Sequence, residues 1–397
     1  MKKLLFFVSL GLLFVPIVSW AATAKPAPFT YAVWLPFWQS QNGAQDISLN
    51  LGTLKEVSPF SYEIVGASTI KDDLNIGNGS WDPWFSAVRE LGIKIIPTIA
   101  WFDGNGIYNL LSNTKTRQAH EDAIATLVKS QNFDGIDIDY ESMTAATRPY
   151  FSLLIQGLAQ RLHPQKKLLT CTVVPRMPLS SLYRNPPTTT ATYAENYSVL
   201  NQYCDEVRLM AYDQGPIDIN LNDAKGNGMM YAPVADPAWA QKVIAQATPY
   251  ISPKKIMLGI PTYGYEWEVS WQNGQTTYRR VRSFTYLQAM DRAEEVDVTP
   301  VRNNAGEMSF TFVSSTFINS SPILTTVVSS TIEPPLLILM NGGNINGSAA
   351  TTLFYVSFPD ATSAATEIAL AKQLGLKGAA FFKADGQLDP MTWEAMK

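Results

Sequence analysis

Hydrophobic and polar positions along this chain fall into two alternating rhythms. Short β-rich runs occur at 31–38, 61–67, 94–101, 135–141, 168–175, 207–212, 255–263 and 378–383. Between them lie stretches with apolar residues at helical spacing, among them 116–130, 147–162, 239–247 and 364–374. Eight strands alternating with helices predict an α/β chain folded as a (β/α)8 TIM barrel. The alternative is an open doubly wound sheet, but no Gly-x-Gly-x-x-Gly turn follows the first strand.

One interval breaks the rhythm. Residues 268–359 stand where a single loop is expected, and a bare barrel needs only about 250 residues. The interval holds a helix-like piece at 283–294 and strand-like pieces at 297–301, 308–313, 336–340 and 353–358. It reads as a small α+β domain inserted after the seventh strand, beside the C-terminal mouth of the barrel. The Ser, Thr and Pro-rich run 314–333 is expected to be a loop or ribbon at its edge. The chain then divides into a leader at 1–24, barrel strands one to seven at 25–267, the insertion at 268–359 and barrel completion at 360–397.

The leader begins with two lysines, continues with an apolar run and ends in small residues, the pattern of a secretory signal peptide cut after Ala21 or Ala24. A membrane anchor is the competing reading, but the run is short and contains Pro16. Export predicts a secreted, periplasmic or cell-envelope protein with no membrane attachment after cleavage. Hydrophobic residues at 46% and charged residues at 16% suit a compact globular chain. Loss of Lys2 and Lys3 takes the formal charge from −4 to −6. A mildly acidic surface without basic clusters predicts no nucleic-acid partner. Cys171 and Cys204, the two cysteines, either pair after export or stay as buried thiols. His120 and His163, the two histidines, lie in helix-like segments and read as surface residues. Ser-His-Asp catalysis and a multi-His zinc site therefore find no support, and neither metal nor cofactor is expected.

The run FDGIDIDYES, Phe133 to Ser142, carries the chemistry. A strand here places Asp137, Asp139 and Glu141 on one face, roughly 6.7 Å apart per step, and Ile136, Ile138 and Tyr140 on the other. In a parallel barrel the apolar face meets the helices and the carboxylates point inward, with Glu141 at the C-terminal end where barrel enzymes place their chemistry. Ionised groups in a closed interior need partners, protons or a task. A calcium loop is a poor alternative, because its obligatory Gly and final Glu positions hold Ser142 and Arg148. A structural ion cluster is the other alternative. In the sixth strand, VRLMAYDQ, Arg208, Met210 and Tyr212 share a face. Arg208 is expected to offset Asp137 or Asp134, and Tyr212 to reach the level of Asp139 and Glu141.

The segment DGIDIDYE, Asp134 to Glu141, resembles the D-x-x-D-x-D-x-E signature of glycoside hydrolase family 18, the family of chitinases and related N-acetylglucosaminidases. MAYD, Met210 to Asp213, looks like that family's sixth-strand motif, and GIPTYGYEW, Gly259 to Trp267, is similar to the seventh-strand segment of its spore-cortex and cell-wall branch. The resemblance implies retaining, substrate-assisted hydrolysis, outside the two-carboxylate rule. Glu141 would be the general acid, Asp139 would orient the substrate acetamido group, Tyr212 would donate to its oxygen and Asp137 would share a proton or hydrogen bond with Asp139. The implied partner is an N-acetylglucosamine-containing polysaccharide, taken by a monomer, with chitin and peptidoglycan both open. Substrate-binding candidates are Asp213, Trp34, Tyr263 and Phe382. Trp38, Trp101, Tyr265 and Trp267 also lie near strand ends, where aromatic faces suit sugar C–H groups. The family usually ends its eighth strand with Trp, and Phe382 stands there instead. A non-catalytic sugar-binding barrel is the alternative function.

Overall fold

A computed structural model of the chain describes residues 28–188, 192–272, 275–317 and 349–397, and its eight parallel strands close into one barrel. In chain order they are Thr30–Pro36, Glu56–Val65, Thr98–Trp101 (led in by Lys94–Ile95), Gly135–Tyr140, Leu168–Val173, Glu206–Leu209, Ile256–Pro261 and Gly378–Phe382. Each pairs with its predecessor in that order, and the last closes on the first with Ala32 opposite Ala380. The expected leader at 1–24 lies outside the described residues. Among the described residues no helix is long and apolar enough to cross a membrane.

Strand alternation sorts the residues as the pleat requires. Ile136, Ile138 and Tyr140 are buried in the main apolar cluster, together with Leu154, Ile155 and Leu158 of the helix Arg148–Leu162. The helices have local start signals. Asn113 caps Thr114–Ser130 by accepting from the backbone N–H groups of Lys115 and Thr116, and Asp236 caps Pro237–Ala247 through Ala238 N–H. Each such cap is worth about 1 kcal/mol.

The second strand is longer at its start than the sequence pattern suggests, running from Glu56 rather than 61. Its first inward positions are polar, Glu56 and Ser58, because they face Arg208 in the barrel interior. The sixth strand is shorter: ladder pairing ends at Leu209, and Met210 to Asp213 leave the sheet towards the mouth.

After Pro261 the described residues build a second, antiparallel sheet of five strands, in the order Gln275–Thr285, Tyr263–Gln272, Ala349–Phe358, Met308–Phe317, Val301–Arg302. This sheet starts at Tyr263, earlier than the expected boundary at 268. Its first two strands form a hairpin that the sequence reading missed, with a bulge between Glu266 and Trp267. Of the expected strand at 297–301 only Val301 is paired, because Asp297 takes a left-handed turn at the end of the helix Tyr286–Glu295. The expected loop at 314–333 is a strand as far as Phe317, and its remainder, like the expected strand at 336–340, lies outside the described residues.

Cys171, in the fifth strand, forms a disulfide with Cys204, which closes the helix Tyr197–Tyr203. The bond decides between the two readings of the cysteines. The surface placement of His120 is corrected: it is 3% exposed, and its Nε2 lies 2.5 Å from the Tyr140 hydroxyl. Burial pushes its imidazole down to about 4. His163 is partly exposed beside Asp205, at 3.1 Å.

Candidate active site

The fourth strand delivers Asp137 and Asp139 into the barrel at two depths, with Thr98 opposite Asp137 and Ala100 opposite Asp139 on the third strand. Asp137 is fully buried. Thr98 Oγ1 donates to its Oδ2 at 2.8 Å, Thr172 Oγ1 to its Oδ1 at 2.8 Å, and Trp34 Nε1 at 3.4 Å. Arg208 Nη1 lies 3.7 Å from Oδ2, so the expected charge partner is Asp137; Asp134 instead accepts from Ile95 N–H near the start of its strand. The bond between Asp137 and Asp139 that the resemblance implies is not among these contacts.

Asp139 is 4% exposed, and its Oδ1 has no hydrogen-bond partner among the described residues. Burial, then the charges of Glu141 and Asp137, hold its carboxyl well above the ordinary range. Glu141 is half-buried at the strand end, its backbone N–H donating to Trp101 O at 2.8 Å. Burial raises its carboxyl too, followed by the charges of Asp213 and Glu195. Two neighbouring carboxyls that both resist ionisation are poised to hold and hand over a proton.

Tyr212 is buried, and its phenol is pushed upward by burial and then by Asp139. It can sit there because the facing residue is Gly259. A Cβ on Gly259 would stand 2.8 Å from the Tyr212 ring and 2.5 Å from Leu209 O. Asp213 turns the chain in the left-handed region at φ 64°, which Asp tolerates better than most residues. Its Oδ1 accepts the hydroxyls of Tyr263 at 2.5 Å and Tyr265 at 2.6 Å.

Phe382 sits at the centre of an aromatic box. Its ring stacks on Tyr212 at 5.9 Å and meets Trp34, Phe60 and Tyr263 edge-on at 5.8, 6.1 and 6.1 Å. These groups, Asp139, Glu141 and Asp213 all line one cavity of about 490 Å3. The size suits a small-molecule or sugar ligand.

A model of the glycosyl hydrolases family 18 matches residues 85–387. The chain belongs to that family. Two curated proteins of Bacillus subtilis are similar to it. The uncharacterized glycosylase YvbX is 27% identical over 215 residues, which is 53% of this chain and 56% of that protein. The putative sporulation-specific glycosylase YdhD is 26% identical over 218 residues, 55% of this chain and 48% of that protein. The chain thus spans about half the length of these relatives. Among solved structures, the C-terminal domain of a putative chitinase from Desulfitobacterium hafniense matches with TM-score 0.68 at 21% identity, over 93% of this chain and 97% of that one. The spore cortex-lytic enzyme SleL of Bacillus megaterium matches with TM-score 0.65 at 17% identity, over 94% and 74%. At these identities the structures establish the barrel fold alone.

Trp34, Tyr263 and Phe382 line this cavity together with the carboxyl groups, although Trp34 is only 1% exposed. Trp38 and Tyr265 border an adjoining cavity. Two aromatic placements are corrected. Trp101 shares the outward parity of Ile99 and packs on Tyr140 at 5.6 Å and His120 at 6.2 Å, behind the site. Trp267 is buried against Tyr265 and Tyr278.

The sequence reading missed Glu56 and Ser58, which alternate with Val57 and Pro59 just as the carboxylates of the fourth strand alternate with isoleucine. It also missed Glu206 and the cavity-lining Phe60, Tyr62, Glu63, Asp73 and Phe102. Glu195, which reaches Glu141 electrostatically and pairs with Arg176 at 3.4 Å, comes from an irregular segment without periodic signal. Among the described residues no group of three or more His, Cys, Asp or Glu side chains is disposed to hold a metal ion.

Proposed function

We propose that this family 18 chain is a secreted glycosidase that hydrolyses β-1,4-linked, N-acetylglucosamine-containing glycans with retention of configuration, using the substrate's acetamido group as nucleophile. The observation that carries the reading is the buried Oδ1 of Asp139, without a hydrogen-bond partner among the described residues, between Asp137 and Glu141 in an aromatic-walled cavity. An acceptor left open in such a place calls for a donor from the ligand, and an acetamido N–H supplies one.

In the reaction, Glu141 gives its proton to the glycosidic oxygen while the acetamido oxygen attacks the anomeric carbon and the C–O bond breaks. The Asp139–Glu141 pair shares one proton, carried by Glu141 at the start, so that Asp139 as its anionic member accepts the acetamido N–H and balances the positive charge of the oxazolinium ion. Tyr212 donates to the acetamido oxygen. Water then opens the ring on the same face, its proton passing to the Glu141 carboxylate. Burial, then the charges of Asp213 and Glu195, raise the Glu141 carboxyl, the direction that favours a general acid. Phe382, stacked on Tyr212, gives the reacting sugar an apolar floor.

The test is release of reducing ends from chito-oligosaccharides and from purified peptidoglycan glycan strands by the mature protein and Glu141→Gln. Wild-type turnover should fall about a thousandfold in the variant, with oligosaccharide binding retained. Fully de-N-acetylated oligomers should resist cleavage. A variant as active as wild type, or equal cleavage of the de-N-acetylated oligomers, removes the mechanism.

A further inference from the structure

A second cavity, of about 630 Å3, adjoins the catalytic one and shares Trp38, Asp213, Tyr263 and Phe382 with it. The charges of the two differ. Glu63, Asp73, Asp139, Glu141 and Asp213 line the catalytic cavity, and no lysine or arginine is among the described residues that line it; Lys71 offsets Asp73 from outside at 2.5 Å. An anionic substituent placed there meets carboxyl groups and aromatic rings, with no cationic group among the described lining residues to neutralise it.

The second cavity holds Arg280 and Lys383 against Asp213 and Asp385. Lys383 is engaged by Asp385 at 2.7 Å, and Asp213 by the two tyrosine hydroxyls. Arg280 lies exposed on the hairpin strand Gln275–Thr285, opposite Trp267, with its guanidinium 5.0 Å over the Tyr265 ring. Among the described residues no ion pair engages it. Its neighbour Arg279 is instead paired with Glu268. A guanidinium resting on an aromatic face keeps its edge N–H groups free, in the fork that matches a carboxylate.

We propose that the second cavity binds a carboxylate-bearing sugar through Arg280 while an uncharged N-acetylglucosamine occupies the catalytic cavity. The substrate class is then a glycan in which neutral and acid-substituted aminosugars alternate, as in peptidoglycan strands, rather than an uncharged homopolymer. This rests on the hydrolytic reading of the site and deepens it.

The test measures kcat/KM on peptide-free peptidoglycan strands, on the same strands after carboxyl reduction, and on chito-oligosaccharides. Wild type, Arg280→Gln, Arg280→Lys and Arg279→Gln are compared. The ratio of kcat/KM for carboxylated over carboxyl-reduced strands should fall about fivefold in Arg280→Gln, recover in part in Arg280→Lys and stay unchanged in Arg279→Gln. A ratio near one in wild type, or one equally lowered by Arg279→Gln, overturns the assignment. If wild type cleaves none of the glycans, the hydrolytic reading fails, and titration of the carboxylated strands then decides on Arg280: weaker binding by Arg280→Gln alone supports it, equal binding by wild type and variant overturns it.

Discussion

Replacing Glu56 with Gln asks whether the charge beneath Asp137 is balanced by a proton. Arg208 is fully buried, 3.3 Å from Glu56 Oε2, 3.7 Å from Asp137 Oδ2 and 3.9 Å from Glu206 Oε2, with Nη1 donating to Ser58 Oγ at 2.7 Å. Three carboxyl groups surround one guanidinium. Lys377 reaches Glu206 at 2.5 Å, and Lys94 stands 3.8 Å from Glu56. Burial, then the charge of Glu206, push Glu56 up to about 8. Burial also acts upward on Glu206, but Arg208, the bond with Glu56 and Lys377 together hold it below its ordinary value. The pair thus keeps one proton, and Glu56 carries it.

The sign follows from proton counting. Between the ordinary 4.5 and about 8, the native state holds one proton more than the unfolded chain, so stability that is full below 4.5 is lost as pH rises to about 8. The slope is about 1.4 kcal/mol per pH unit, an upper limit of about 5 kcal/mol across the window. Gln carries the neutral form at every pH. Urea unfolding of both proteins from about pH 5 to about pH 8 should show a falling wild-type stability and a flatter variant, with Glu56→Gln the more stable by up to about 3 kcal/mol at pH 7. Parallel slopes would refute the argument. So would a loss of about 3–5 kcal/mol in the variant at pH 7, which is what breaking a buried ion pair costs.

Two further outcomes bear on the site and on the barrel wall. Tyr212→Phe removes one donor without removing the stacked ring, so kcat should fall about a hundredfold while KM changes little, read from reducing-end release over a range of substrate concentration. The double variant Cys171→Ser/Cys204→Ser opens a loop closed across 33 residues and should lose roughly 3–4 kcal/mol in urea unfolding against the oxidised protein; equal midpoints would show that the bridge contributes nothing.

The fold was legible wherever burial imposes a period. Gly135–Tyr140 and the helix Arg148–Leu162 were found because each has one face that must be apolar. The start of the second strand was hidden by the same logic, since Glu56 and Ser58 point into a polar barrel interior and broke the apolar run used to recognise strands. The hairpin after Pro261 was hidden because Tyr263–Gln272 continues a strand-like pattern with a single intervening residue, and sequence spacing does not say which sheet a strand joins. Trp101 shows the limit of placing residues by position along a strand. Strand-end location suggested the cleft, but its parity with Ile99 sends it to the helices.

The same contrast explains what could be read of the chemistry. Asp137, Asp139 and Glu141 announced themselves because three carboxyls with isoleucine between them contradict every simple reading of a buried strand. Arg208 shared their face and could be paired with them from parity alone. Glu206 lies two positions before Arg208 on that face, and Glu56 and Ser58 carry the alternation on the second strand, so the charged interior was within reach of one rule applied to every strand. No such rule reaches Glu63, Asp73 or Arg280. Their positions are fixed by how a strand end, a turn and the hairpin meet around one opening, and that relation exists only in the folded chain. The carboxyl groups were legible because they violate the pattern of their own strand; the groups lining the opening around them were not, because each obeys the pattern of its own segment.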